Sequence, residues 1–164
     1  MRLLSLRPGW SLAALVLGTV GAVLVPFSAA HAADPPGNNG TVKIDDKPFD
    51  SYPDNEPHVG CIFQVDFYGF DEGDLNASVT FIIHPPSGKD AILLDDTVFI
   101  GEDPAGGGTD VDAQRTYNLS PTLTDFFQHP QQGYHVKLMV NAQGSIGADT
   151  KYKVFWVQSC GYGS

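Results

Sequence analysis

From residue 60 onwards, large apolar side chains fall on every second position in a series of short runs. Cys61, Phe63, Val65 and Phe67 alternate with Ile62, Gln64, Asp66 and Tyr68. Val79, Phe81 and Ile83 alternate with Thr80, Ile82 and His84, and Tyr134, Val136, Leu138 and Val140 with His135, Lys137, Met139 and Asn141. A period of two is the spacing of an extended chain with one face buried, because successive strand side chains point to opposite sides. The last run sets Tyr152, Val154 and Trp156 against Lys151, Lys153, Phe155 and Val157, with Gln158 and Cys160 on the parity of the first set.

Together with shorter runs, this pattern predicts strands over 41–45, 60–68, 76–84, 91–100 (broken around Asp95 and Asp96), 114–119, 133–141 and 151–158. Between them lie breaker-rich stretches, notably 46–57 with Pro48, Pro53 and Pro57, and Pro85-Pro86-Ser87-Gly88. Only 120–128, with Pro121 after Ser120 and Leu123, Phe126 and Phe127 suitably spaced, reads as one or two helical turns. The expected fold is all-β: a single antiparallel β-sandwich, an immunoglobulin-like Greek key with one disulfide, over 41–164. A jelly roll or small barrel is the alternative, because alternation does not give strand order.

The first 32 residues have another character. Arg2 and Arg7 open them, an apolar run extends from Trp10 to Val25, Pro26 breaks it, and Ala30-His31-Ala32 ends it in small residues. That is the form of a secretory signal peptide over 1–32, its apolar run being short of the ~18 residues of a membrane span. The expected product is secreted, extracellular or cell-surface associated, with a flexible leader over 33–40 and no stable membrane span. Cleavage after Ala30 would instead leave His31 at the amino terminus, where its amine and ring could chelate copper.

Export makes the two cysteines, Cys61 and Cys160, a disulfide pair, since no CxxC motif or neighbouring histidine points to metal or redox chemistry. It clips the last strand to an early one.

The runs PHVGCIFQVDFYGFDEGD (57–74), QGYHVKL (132–138) and KYKVFWVQSC (151–160) resemble a family of uncharacterised secreted β-sandwich proteins of high-GC Gram-positive bacteria. The resemblance covers nearly all of the chain after the signal and extends to the GNNGTVKID start and the distant cysteine pair. It implies export and this fold, and it carries no activity or catalytic residues. Some members have a wall-sorting region, which does not carry over to this sequence.

Charge narrows the partners. Nineteen Asp and Glu against nine Lys and Arg give a net charge of -10, which repels phosphate backbones and excludes nucleic acid. No GxSxG elbow, P-loop, dinucleotide loop or HExxH is present, so an enzyme is not expected. The acidic loops raise calcium, which takes six to eight oxygen ligands, with Asp71, Asp74, Asp110 and Asp112 as the candidate carboxylates. A plain solvated acidic surface explains the same residues without an ion, and no other cofactor is expected.

Parity finally predicts a contact surface. With Val79, Phe81, Ile83, Val136, Leu138, Val154 and Trp156 turned inwards, the opposite face carries Ile82, Met139, Phe155 and Val157, rimmed by His84, His135, Lys137 and Lys153. The alternative is that the segment around Phe49 and Tyr52 covers this face. The expected function is a secreted module making contact with a protein, a cell-surface polymer or its own copies, and the alternative is a calcium-dependent surface or carbohydrate-binding domain.

Overall fold

The computed structural model describes residues 40–102, 109–142, 150–158 and 160, all within one compact unit, Asp34–Ser164. The expected signal segment, His31 and most of the leader lie outside the described residues. Among the described residues eight strands form: β1 (Thr41–Asp45), β2 (His58–Val59), β3 (Ile62–Tyr68), β4 (Asn76–Ile83), β5 (Ile92–Phe99), β6 (Val111–Asn118), β7 (Tyr134–Ala142) and β8 (Thr150–Val157), with one helical turn, α1 (Ser120–Leu123). They make a three-stranded sheet in the order β1-β3-β6 and a five-stranded sheet in the order β2-β8-β7-β4-β5. All pairs are antiparallel except β2 with β8. The domain is therefore all-β, with two mostly antiparallel sheets and one disulfide, Cys61–Cys160.

The core is built from the alternating positions. Val42, Ile44, Phe63, Val65, Phe67, Tyr117 and Leu119 from the smaller sheet share one buried cluster with Val79, Phe81, Ile83, Val136, Leu138, Val140, Phe155 and Val157 from the larger. Aromatic rings join them: Phe63 lies edge-on to Phe81 at 5.6 Å and to Phe155 at 5.2 Å, and Phe81 meets Tyr117 at 4.8 Å. Edge-to-face contacts of this kind add to the area they bury. The disulfide lies just outside two strand ends, before β3 and after β8, and so ties one sheet to the other.

Besides β6, which begins at Val111 rather than 114 and so takes in Asp112, three elements differ from the sequence reading. The run 91–100 is one unbroken strand, since Asp95 and Asp96 point to opposite sides of it and both stay in the ladder, facing Thr80 and Val79. A short strand, β2, emerges from the proline-rich stretch because the backbone beside Pro57 bonds to β8: Trp156 N–H donates to Pro57 O, and Gln158 N–H to Val59 O.

The third difference is the parity of β8. Phe155 and Val157 are core residues, 2% and 0% exposed, whereas Tyr152 and Val154 are 55% and 48% exposed. The pairing of Val136 with Phe155 decides this. Reading inward parity back from Cys160 fails because β8 ends at Val157, so the pleat does not continue to the cysteine. Lys151 and Lys153 then share the inner parity, and burial pulls the Lys153 amine below its ordinary pKa.

Candidate functional site

The cross-strand register arranges the outer face of the larger sheet into rows. The first row runs His84, His135, Trp156 and His58, from β4's end to β2. Ile92, Ile82, Lys137 and Val154 form the second, and Asp95, Thr80, Met139 and Tyr152 the third. Beyond them Thr97, Ser78, Asn141 and Thr150 form a small polar row. Within a chain of net charge -10, Asp95 is the single carboxylate among these sixteen positions.

The turn after β4 fixes the first row. His84 N–H donates to His135 O at 2.9 Å, and His135 N–H donates to the hydroxyl of buried Ser87 at 2.8 Å. Ser87 O accepts from Phe127 N–H, locking the turn to the segment after α1. The His135 ring bonds through Nδ1 to Pro85 O, lies 5.0 Å from the His84 ring and stacks on Trp156 at 4.3 Å with the planes 18° apart. On the other side His129 meets Trp156 at 5.7 Å, its Nδ1 accepting from the Gln131 and Gln132 N–H groups. His58 reaches Gln132 through Nε2. One row over, the Lys137 amine lies 4.4 Å from the centre of the exposed Tyr152 ring, a cation–π contact.

Of the residues expected on this face, Ile82, His84, His135 and Met139 are brought together, while Phe155 and Val157 face the core. Their places are taken by Tyr152, Val154 and Trp156, and His58 and His129 complete the row of rings. The segment around Phe49 and Tyr52 sends its backbone to the sheet edges, through Glu56 N–H to Ile44 O and Trp156 N–H to Pro57 O, and Tyr52 is 71% exposed.

The acidic candidates lie where the loop after β3 meets the start of β6: Gly69 N–H donates to Asp110 O, and Phe70 N–H to Asp112 Oδ2. Asp112 is buried and anchors that turn, while Asp74 is exposed and Asp71 half-buried. Among the described residues no three His, Cys, Asp or Glu side chains form a group that could hold a metal ion.

The smaller sheet carries a different polar layer. On the side of β3 away from the core, Gln64, Asp66 and Tyr68 are buried, flanked by Asp45 and Thr116, by Lys43 and Gln114, and by Thr41. Burial lifts the Asp66 carboxyl to about 6 and the Tyr68 phenol to about 12, and raises Asp45 as well. No family model matches the chain, and no curated protein and no solved structure matches it either.

Proposed function

We propose that this chain is a secreted, non-enzymatic contact module that meets an extracellular protein partner through the outer face of the five-stranded sheet. The observation that carries the reading is the make-up of the first three rows: Trp, Tyr, Met, Ile, Val and His beside a single Asp, on the face of a strongly acidic chain. Protein interfaces are enriched in Trp, Tyr and Met and depleted in carboxylates at their centre. Trp156 stacked on His135, with Tyr152 beside Lys137, supplies rigid rings of the kind that concentrate binding energy. The signal-like segment 1–32 and the resemblance to secreted proteins support export.

The proposal includes the finer fold. In the immunoglobulin constant type, strands A, B, E and D form one sheet and C, F and G the other. Taking β1, β3, β4, β5, β6, β7 and β8 as A to G, the order here is A-B-E against G-F-C-D. That is a Greek-key sandwich in which the fourth strand has moved across to pair with the third.

Replacing Tyr152 and Val154 together by alanine and serine tests the contact reading. Retention on the producing cell's surface is expected to fall about tenfold while the melting temperature changes little, as both side chains are exposed. Unchanged retention and unchanged sedimentation would overturn it. Loss of retention in chelator, with a melting temperature raised by calcium, would favour the calcium-dependent alternative at Asp71, Asp74, Asp110 and Asp112.

A further inference from the structure

The two sides of the molecule treat their strand edges differently. On one side, the stretch between β1 and β3 covers both edges: Glu56 N–H bonds to Ile44 O on β1, while Pro57 O and Val59 O accept from β8. On the other, β5 and β6 are the last strands of their sheets, each paired among the described residues on one side only, with β4 and β3. A strand edge of this kind presents a row of N–H and C=O groups to any chain that can lie along it.

The direction of those groups can be read from the neighbouring bonds. Ile100 N–H points to β4, where Leu75 O accepts it. By antiparallel alternation, the N–H groups of Phe99, Thr97 and Asp95 point off the edge. Thr97 N–H is bonded locally, to its neighbour's Asp96 Oδ1 at 2.9 Å, a contact an incoming strand can replace. Between the edges runs an open groove of two hollows, about 310 and 300 Å³, lined by β5 on one wall and β6 on the other. Arg115 crosses between them, its Nε 3.0 Å from Asp96 Oδ2, which also accepts from the Tyr117 hydroxyl at 3.2 Å. Exposed Ile92 and Phe99, 61% and 50% accessible, mark the two ends of β5.

We propose that the β5 edge accepts an extended basic peptide segment of another protein by strand addition. Charge selects this occupant. Asp96 and, past the end of β5, Glu102 line the groove against one cation, Arg115, which Asp96 already engages, and Asp95 adds a carboxylate on the outer face of the same strand. A second copy is disfavoured, because centred antiparallel pairing of β5 with itself sets each Asp95–Asp96 pair beside the other. A strand with Lys or Arg at alternate positions meets carboxylates instead, while its main chain supplies the bonds that the edge lacks.

The test uses the folded chain and three synthetic peptides, read by fluorescence anisotropy and by amide shifts in NMR. The first alternates Lys and Val, the second has the same composition with the main chain N-methylated at alternate residues, and the third replaces Lys by Glu. The first is expected to bind at least about tenfold more tightly than the other two, with the largest shifts at Asp95, Thr97 and Phe99. Asp95→Lys weakens it, and Thr97→Pro, which removes an edge N–H, abolishes it. Equal binding of the N-methylated peptide would reduce the effect to simple charge attraction and overturn strand addition. Shifts confined to the Trp156 rows, or no binding by the first peptide, would overturn it too; the N-methylated peptide keeps the test decisive should Thr97→Pro unfold.

Discussion

Phe155 meets Phe63 of the smaller sheet and Phe81 of its own sheet, whereas its neighbours Val154 and Trp156 point outwards, so adjacent substitutions in β8 must differ sharply in effect. Phe155→Ala removes a ring from the centre of the aromatic cluster and leaves a cavity that packed neighbours fill only in part. The expected loss is about 3 to 5 kcal/mol by urea denaturation. Val154→Ser, at an exposed site, is expected to cost less than about 1 kcal/mol. Equal losses at the two positions would mean that the β7–β8 register is shifted by one residue, since such a slip exchanges the two faces.

At the scale of elements, most strands could be read from alternation because one parity was wholly buried and apolar and the other mostly polar, as in β4 and β7 apart from Ile82 and Met139. In β8 both parities carry large apolar groups and one also carries two lysines, so the pattern by itself is undecided. Only the pairing of Val136 with Phe155 resolves it, and pairing is a tertiary fact. β2 was illegible for a related reason: two residues carry no periodicity, and a bond to a strand some hundred positions away creates it. The cysteine pair was legible because two thiols in a chain that opens on a signal-like segment leave few choices. Replacing Cys61 and Cys160 by alanine frees the tail beyond β8 from the start of β3. The expected destabilisation is up to about 4 to 5 kcal/mol, measured as a shifted denaturation midpoint at unchanged fold. An unshifted midpoint would mean that the sheets hold each other without the clip.

Across the whole molecule, the acidic balance acts through a few buried carboxyls more than through the surface total. The folded Asp66 carboxyl titrates at about 6 against an ordinary value of 3.8, because burial penalises its ionised form. The native state therefore holds this proton more tightly than the unfolded chain. Its contribution to stability is fully present below 3.8 and is lost as the pH rises through about 6. Asp66→Asn is expected to stabilise the fold above that pH, by up to about 3 kcal/mol, and to flatten the decline between the two values. Denaturation midpoints across that range check it, and an unchanged slope would show that other groups set it. The outer face of the larger sheet was half legible at this scale. Ile82, His84, His135 and Met139 follow from β4 and β7, whereas the ring row through Trp156, His129 and His58 depends on three segments whose meeting no local pattern announces.

β8 lies between β2 and β7, although among the described residues it is the last strand in chain order. Until it arrives, the five-stranded sheet is divided, β2 has no partner, and Phe63 and Phe81 lack the ring of Phe155. A closed five-stranded sheet therefore waits for β8, and folding of this kind, dominated by pairings distant in sequence, is slow. Without β8, the β7 edge leaves a row of N–H and C=O groups open to other chains, and β8 closes it. The position of one strand thus makes the joining of β2 to the rest of its sheet conditional on β8.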